Sequence, residues 1–112
     1  MGNVFVLAEH QKGIVCDITF EMLGIGRELA DNTNSELIAV LLGNNVKELG
    51  DSFGISNKVF YINHEELSEV TPEAYVTTLA QMCNESTPSF ILVSTNNLHG
   101  GIGSLLALKI NN

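Results

Sequence analysis

The chain has 112 residues, 45% of them hydrophobic, and a formal net charge of -8 from 13 acidic and 5 basic side chains. That length makes one domain, residues 1–112, the expectation, and the apolar content suits a globular core, not a disordered segment. The acidic balance argues against nucleic acid, which needs a cationic face, and against an anionic membrane surface.

Cys16 and Cys83 stand far apart and in no CxxC pattern, so they read as reduced thiols and not as a zinc site. The start, Met1-Gly2-Asn3-Val4-Phe5, has no basic segment ahead of its short apolar run, so no secretion signal is expected. A cytoplasmic location follows, or the mitochondrial matrix after processing in a eukaryote.

In chain order, Val4–Ala8 is the first strand-length apolar run. A helix of about fifteen residues follows, with Met22, Ile25, Gly26, Leu29 and Ala30 spaced as one inward stripe. Asp17 lies at its start, and Asn32-Thr33-Asn34 ends it. Gly26 on that stripe would let the helix approach a sheet closely. Leu37–Leu42 is the second strand, and Gly43-Asn44-Asn45 turns into a short helix with Val46, Leu49 and Phe53 on its apolar side. Lys58–Ile62 is the third strand.

Thr71-Pro72-Glu73 then starts a helix, Pro72 suiting the first helical position and Glu73 the dipole. Val76, Leu79, Ala80 and Cys83 are its expected inner face, and Thr87-Pro88 stops it before the fourth strand, Phe90–Val93. Ser104 to Ile110 reads as the start of one more helix. The alternation predicts an α/β fold: a three-layer, Rossmann-like parallel sheet flanked by helices, with right-handed crossovers.

In such sheets ligands bind beyond the carboxyl ends of the strands. The candidates are therefore Glu9-His10, Gly43-Asn44-Asn45, Asn63-His64 and Ser94-Thr95-Asn96. Glu9-His10 could form an acid/base pair, but adjacent Glu and His in a loop are more often solvated. His64 and His99 have no partners at metal-ligand spacing; Glu65 and Glu66 read as an acidic helical turn. Gly100-Gly101-Ile102-Gly103 could cradle a phosphate, but it fits neither dinucleotide nor P-loop spacing and reads first as a packing turn. No residue is assigned as catalytic, cofactor-binding or metal-ligating.

Several stretches, taken in order, resemble the N-terminal domain of electron transfer flavoprotein alpha subunits. Val4-Phe5-Val6-Leu7-Ala8-Glu9-His10 is similar to that family's opening strand. Gly13, Thr19–Leu23 and Arg27–Asp31 look like its first helix, and Val40-Leu41-Leu42-Gly43 like its second strand. Phe53-Gly54 with Lys58-Val59-Phe60, Glu73-Ala74-Tyr75, and Pro88–Leu92 match later elements. Where the family usually carries a Gly-Arg-Asp segment and then Pro-Arg, this chain has His99-Gly100-Gly101 and Ser104-Leu105.

The resemblance implies an adenine nucleotide alpha hydrolase-like fold, shortened by the lack of the family's second domain. It implies FAD in the complete protein, with the flavin site outside this chain and none bound here. It also implies a beta subunit as partner, flavin dehydrogenases such as acyl-CoA dehydrogenases as electron donors, and an electron carrier instead of an enzyme. The alternative is a stand-alone adenine-nucleotide-binding module of the universal-stress-protein type, whose spaced glycine signature is not found. Self-association is expected if the fourth strand presents an open edge.

Overall fold

A computed structural model describes residues 2–68, 72–94 and 105–109. Among them lies a sheet with strand order β5-β4-β1-β6-β7 and a short hairpin, β2-β3. The strands are β1 (Val4–Leu7), β2 (His10–Gln11), β3 (Ile14–Val15), β4 (Leu37–Gly43), β5 (Lys58–Asn63), β6 (Phe90–Ser94) and β7 (Leu105–Lys109). The helices are α1 (Asp17–Asn32) and α2 (Pro72–Ser86), with 3₁₀ turns at Lys47–Ser52 and Glu65–Leu67.

β5, β4, β1 and β6 run parallel, so the α/β class and the expected strands stand. Each face of this parallel sheet is apolar because each is covered by a helix. Val4, Val6, Ala8, Leu37, Ala39, Leu41 and Leu92 pack with Met22, Leu23 and Ala30 of α1. Phe5, Leu7, Ile38, Val40, Leu42 and Ile91 pack with Tyr75 and Met82 of α2. Successive β1 and β4 residues thus feed opposite cores, as the period-two alternation of side chains requires.

Gly26 brings α1 down onto the sheet. A β-carbon there would sit 2.8 Å from Leu37 Cδ1 and 2.9 Å from Val6 Cγ2. One guanidinium then ties α1 to the chain entering β5. Arg27 donates to Ile55 O at 3.1 Å and to Asn57 Oδ1 at 3.0 Å, and it pairs with Asp31 at 3.0 Å. Asn57 Oδ1 also accepts from the first amide of β4, Leu37 N, at 2.8 Å.

The structure corrects several expectations. Within the stretch expected to start a last helix, Leu105–Lys109 is instead a strand, paired antiparallel with β6 from Phe90↔Lys109 to Ser94↔Leu105. A short apolar run has no period that separates helix from strand, and the ladder satisfies its backbone where one or two helical turns would be costly to nucleate. The sheet is therefore mixed, and the edge of β6 is covered by β7. Among the described residues the sheet ends on β5 and on β7, so the open edges are the outer ones of these two strands and not that of the expected fourth strand.

The helix faces are also rotated from the expected stripes. Thr19 and Leu23 are buried on α1 while Ile25 is exposed. On α2, Tyr75 and Met82 are buried, Leu79 and Cys83 pack beside them, and Val76 and Ala80 face outward, Val76 being 63% exposed. Burying Tyr75 and Met82 removes more apolar surface than burying Val76 and Ala80 would, so the helix turns that way. The hairpin at residues 10–15 had no expected counterpart; Lys12 and Gly13 adopt positive φ at its tip.

Candidate functional site

β1 and β4 diverge in length, and that mismatch builds the crest of the sheet. The last β1-side bond is from Ala8 N to Val40 O at 2.9 Å. The next β4 carbonyl facing that side is Leu42, where β1 has already turned away. The side chain of His10 takes the place of the missing strand amide, its Nε2 lying 2.7 Å from Leu42 O. A carbonyl oxygen only accepts, so Nε2 carries the hydrogen. From the opposite face, Tyr75 Oη donates to the same oxygen at 3.1 Å.

Gly43 makes room for this arrangement. A β-carbon on it would lie 3.2 Å from both Cε1 and Nε2 of the imidazole and would collide with Val46. Glu9 is clamped through its backbone. Its amide donates to Thr19 Oγ1 at 2.9 Å, and its carbonyl accepts from Thr19 Oγ1 at 3.0 Å and from Cys16 N at 2.8 Å. Thr19, missed as a site-shaping residue, was hidden by its apolar neighbours in the helical repeat.

Glu9 and His10 are each only 8% exposed, so the expected solvated loop is corrected to a buried one. The hairpin after β1 folds both residues back against β4 and α1. His10 Nε2 donates to a backbone carbonyl, so that nitrogen is held in place and is not the base of an acid/base pair. Burial pushes the Tyr75 phenol above its ordinary range, and the negative charge of Glu9 adds to that.

The other crest residues form a second cluster. Asn63 Oδ1 accepts from Asn45 N at 2.8 Å and from Tyr61 Oη at 2.9 Å, while Tyr61 Oη accepts from Val46 N at 3.0 Å. These bonds hold the turn after β4, in which Asn45 has a φ of 58°. His64 Nδ1 accepts from Glu66 N at 3.1 Å, capping the acidic 3₁₀ turn as a structural group. No disulfide joins Cys16 and Cys83, and burial raises the thiol pKa of Cys83. Among the described residues, no group of His, Cys, Asp and Glu is arranged to hold a metal, and no helix is long and apolar enough to cross a membrane. Thr95-Asn96, His99 and Gly100–Gly103 lie outside the described residues.

A dinucleotide pyrophosphate on the first strand-to-helix turn needs open backbone amides and a helix N-terminus without competing negative charge. Here the turn is folded into the β2-β3 hairpin, the Glu9 and Cys16 amides are hydrogen-bonded internally, and Asp17 occupies the first turn of α1. The residues of this turn do not fit such a group.

The polar groups at the crest thus hold the sheet together. Comparison with known proteins places this architecture. The chain is 31% identical over 110 residues to the acryloyl-CoA reductase electron transfer subunit beta of Anaerotignum propionicum, covering 96% of this chain and 30% of that protein. It is 30% identical over 107 residues to the electron transfer flavoprotein subunit alpha of Megasphaera elsdenii, 94% of this chain and 32% of that one. With the alpha subunit of Thermoanaerobacterium thermosaccharolyticum it shares 32% over 111 residues, 96% of this chain and 33% of the relative. The chain spans about a third of the length of these curated relatives. The family model for the electron transfer flavoprotein domain matches residues 4–111, and the chain belongs to that family.

Proposed function

We propose that this chain is the N-terminal, partner-docking domain of an electron transfer flavoprotein alpha subunit. In that role it forms part of an FAD-containing heterodimeric carrier between flavin dehydrogenases and downstream acceptors. Its partner is the beta subunit, and the flavin is held by parts of the carrier other than residues 1–112. The chain itself performs no catalytic step, and its place is the cytoplasm or an equivalent compartment. One relative is named for acryloyl-CoA reductase, which supports an acyl-CoA-type dehydrogenase as the electron donor.

The observation that supports this most is how the crest is used. At the strand ends, where a sheet of this class takes its ligand, His10, Tyr75, Tyr61 and Asn63 are spent on Leu42 O and on the turn after β4. Such a domain offers a rigid scaffold more readily than a cofactor pocket. The test is dialysis of the purified chain against excess FAD, followed by an absorbance spectrum. The expected result is a colourless protein; a stoichiometric yellow complex would overturn the assignment of the flavin to other parts of the carrier.

A further inference from the structure

The outer edge of β5 is flanked on both faces by grooves, and carboxylates line both. On the α2 face, a groove of about 790 Å³ has Ile62, Leu67 and Met82 at its base and Glu66, Glu73 and Glu85 at its rim. On the other face, a hollow of about 520 Å³ lies between Val59 and Tyr61 of β5 and the 3₁₀ turn bearing Glu48 and Asp51. Lys47 also lines the second hollow. None of these five carboxylates is in an ion pair among the described residues, where the pairs are Arg27–Asp31 and Lys58–Glu36.

An edge strand presents unpaired N–H and C=O groups that an extended chain can satisfy. β5 spans six residues, with Lys58, Val59 and Asn63 exposed. A strand added to it would send alternate side chains to opposite faces, and here each face offers an apolar base and an acidic rim. We propose that β5 accepts an extended, basic segment of a partner protein, which extends the sheet by one strand. Its lysine or arginine side chains lie toward Glu48 and Asp51 on one face and toward Glu66 on the other, and its apolar side chains cover Val59 and Ile62. A second copy of this chain is a poor occupant because it brings the same net charge of -8. The inference goes beyond the carrier role proposed above: it concerns the chemistry of the strand received, whichever protein supplies it.

The test uses the full chain, isotopically labelled for amide NMR, and a synthetic peptide in which pairs of lysines alternate with pairs of valines or threonines, so that each face receives both kinds of side chain. A matched peptide carries glutamate in place of lysine. The lysine peptide is expected to shift the amides of Lys58–Asn63 saturably, with binding that weakens as salt is added. Glu48→Gln, Asp51→Asn and Glu66→Gln should each weaken it by about threefold, as exposed charge pairs do. Glu21→Gln and Glu28→Gln, on the solvent side of α1, should leave it unchanged. Absence of binding, an equal response to the glutamate peptide, or shifts that do not single out β5 would each overturn the proposal.

Discussion

His10 and Leu42 are joined by a side chain-to-backbone bond of 2.7 Å that stands in for the strand bond β1 can no longer make. Tyr75 shares the acceptor. Because either donor alone keeps the carbonyl satisfied, His10→Ala and Tyr75→Phe should each cost about 1 kcal/mol. The double variant then leaves a buried carbonyl without these donors. It should cost about 1–3 kcal/mol beyond the sum of the two. Urea unfolding of the four proteins in this cycle checks the claim, and strict additivity would mean that the shared acceptor carries no coupling.

Tyr75 also makes stability depend on alkaline pH. Burial, and then Glu9, raise its pKa in the folded protein above the ordinary 10.0. The neutral phenol is therefore favoured by folding, and below the unfolded pKa both states are protonated, so nothing is lost. As pH rises past that value the unfolded state ionises first, and stability falls through the folded pKa. Tyr75→Phe should flatten this part of the profile; identical slopes in wild type and variant above pH 10.0 would contradict it.

Two glycines of one helix should respond with opposite signs. Gly24→Ala meets nothing within 4 Å and should stabilise by about 0.5–1 kcal/mol through helix propensity. Gly26→Ala presses on Leu37 and Val6 and should destabilise by about 1–3 kcal/mol through overpacking. Thermal melts of both variants decide it. A gain at Gly26 would mean that α1 does not pack as closely as described.

Leu41 is fully buried and Val76 is not. Leu41→Ala should cost about 2–5 kcal/mol, whereas Val76→Ala should stay within about 0.5 kcal/mol. Guanidinium unfolding midpoints separate the two, and a large effect at Val76 would restore the helix face expected from the sequence.

The buried strands were legible because both faces of β1 and β4 are apolar on consecutive positions, a pattern that solvent-facing strands do not show. Gly26 was legible for the same reason, as a small residue on an inward stripe. Tyr75 and Met82 were not placed inside because a stripe through Val76, Leu79, Ala80 and Cys83 fits the helical period equally well; only the sheet decides which large side chains it accepts. Leu105–Lys109 offered neither period nor cap, and its pairing depends on an open β6 edge that no local pattern reveals. The roles of His10 and Thr19 were invisible for a related reason. They follow from β4 outrunning β1, a long-range relation between strand lengths.

The measurement that bears most directly on the partner-docking role is size-exclusion chromatography with light scattering. This chain is run alone and mixed with an electron transfer flavoprotein beta subunit. A docking domain is expected to co-elute with the beta subunit as an equimolar complex whose mass is the sum of the two chains. Separate elution of the two proteins at every concentration tried would contradict it.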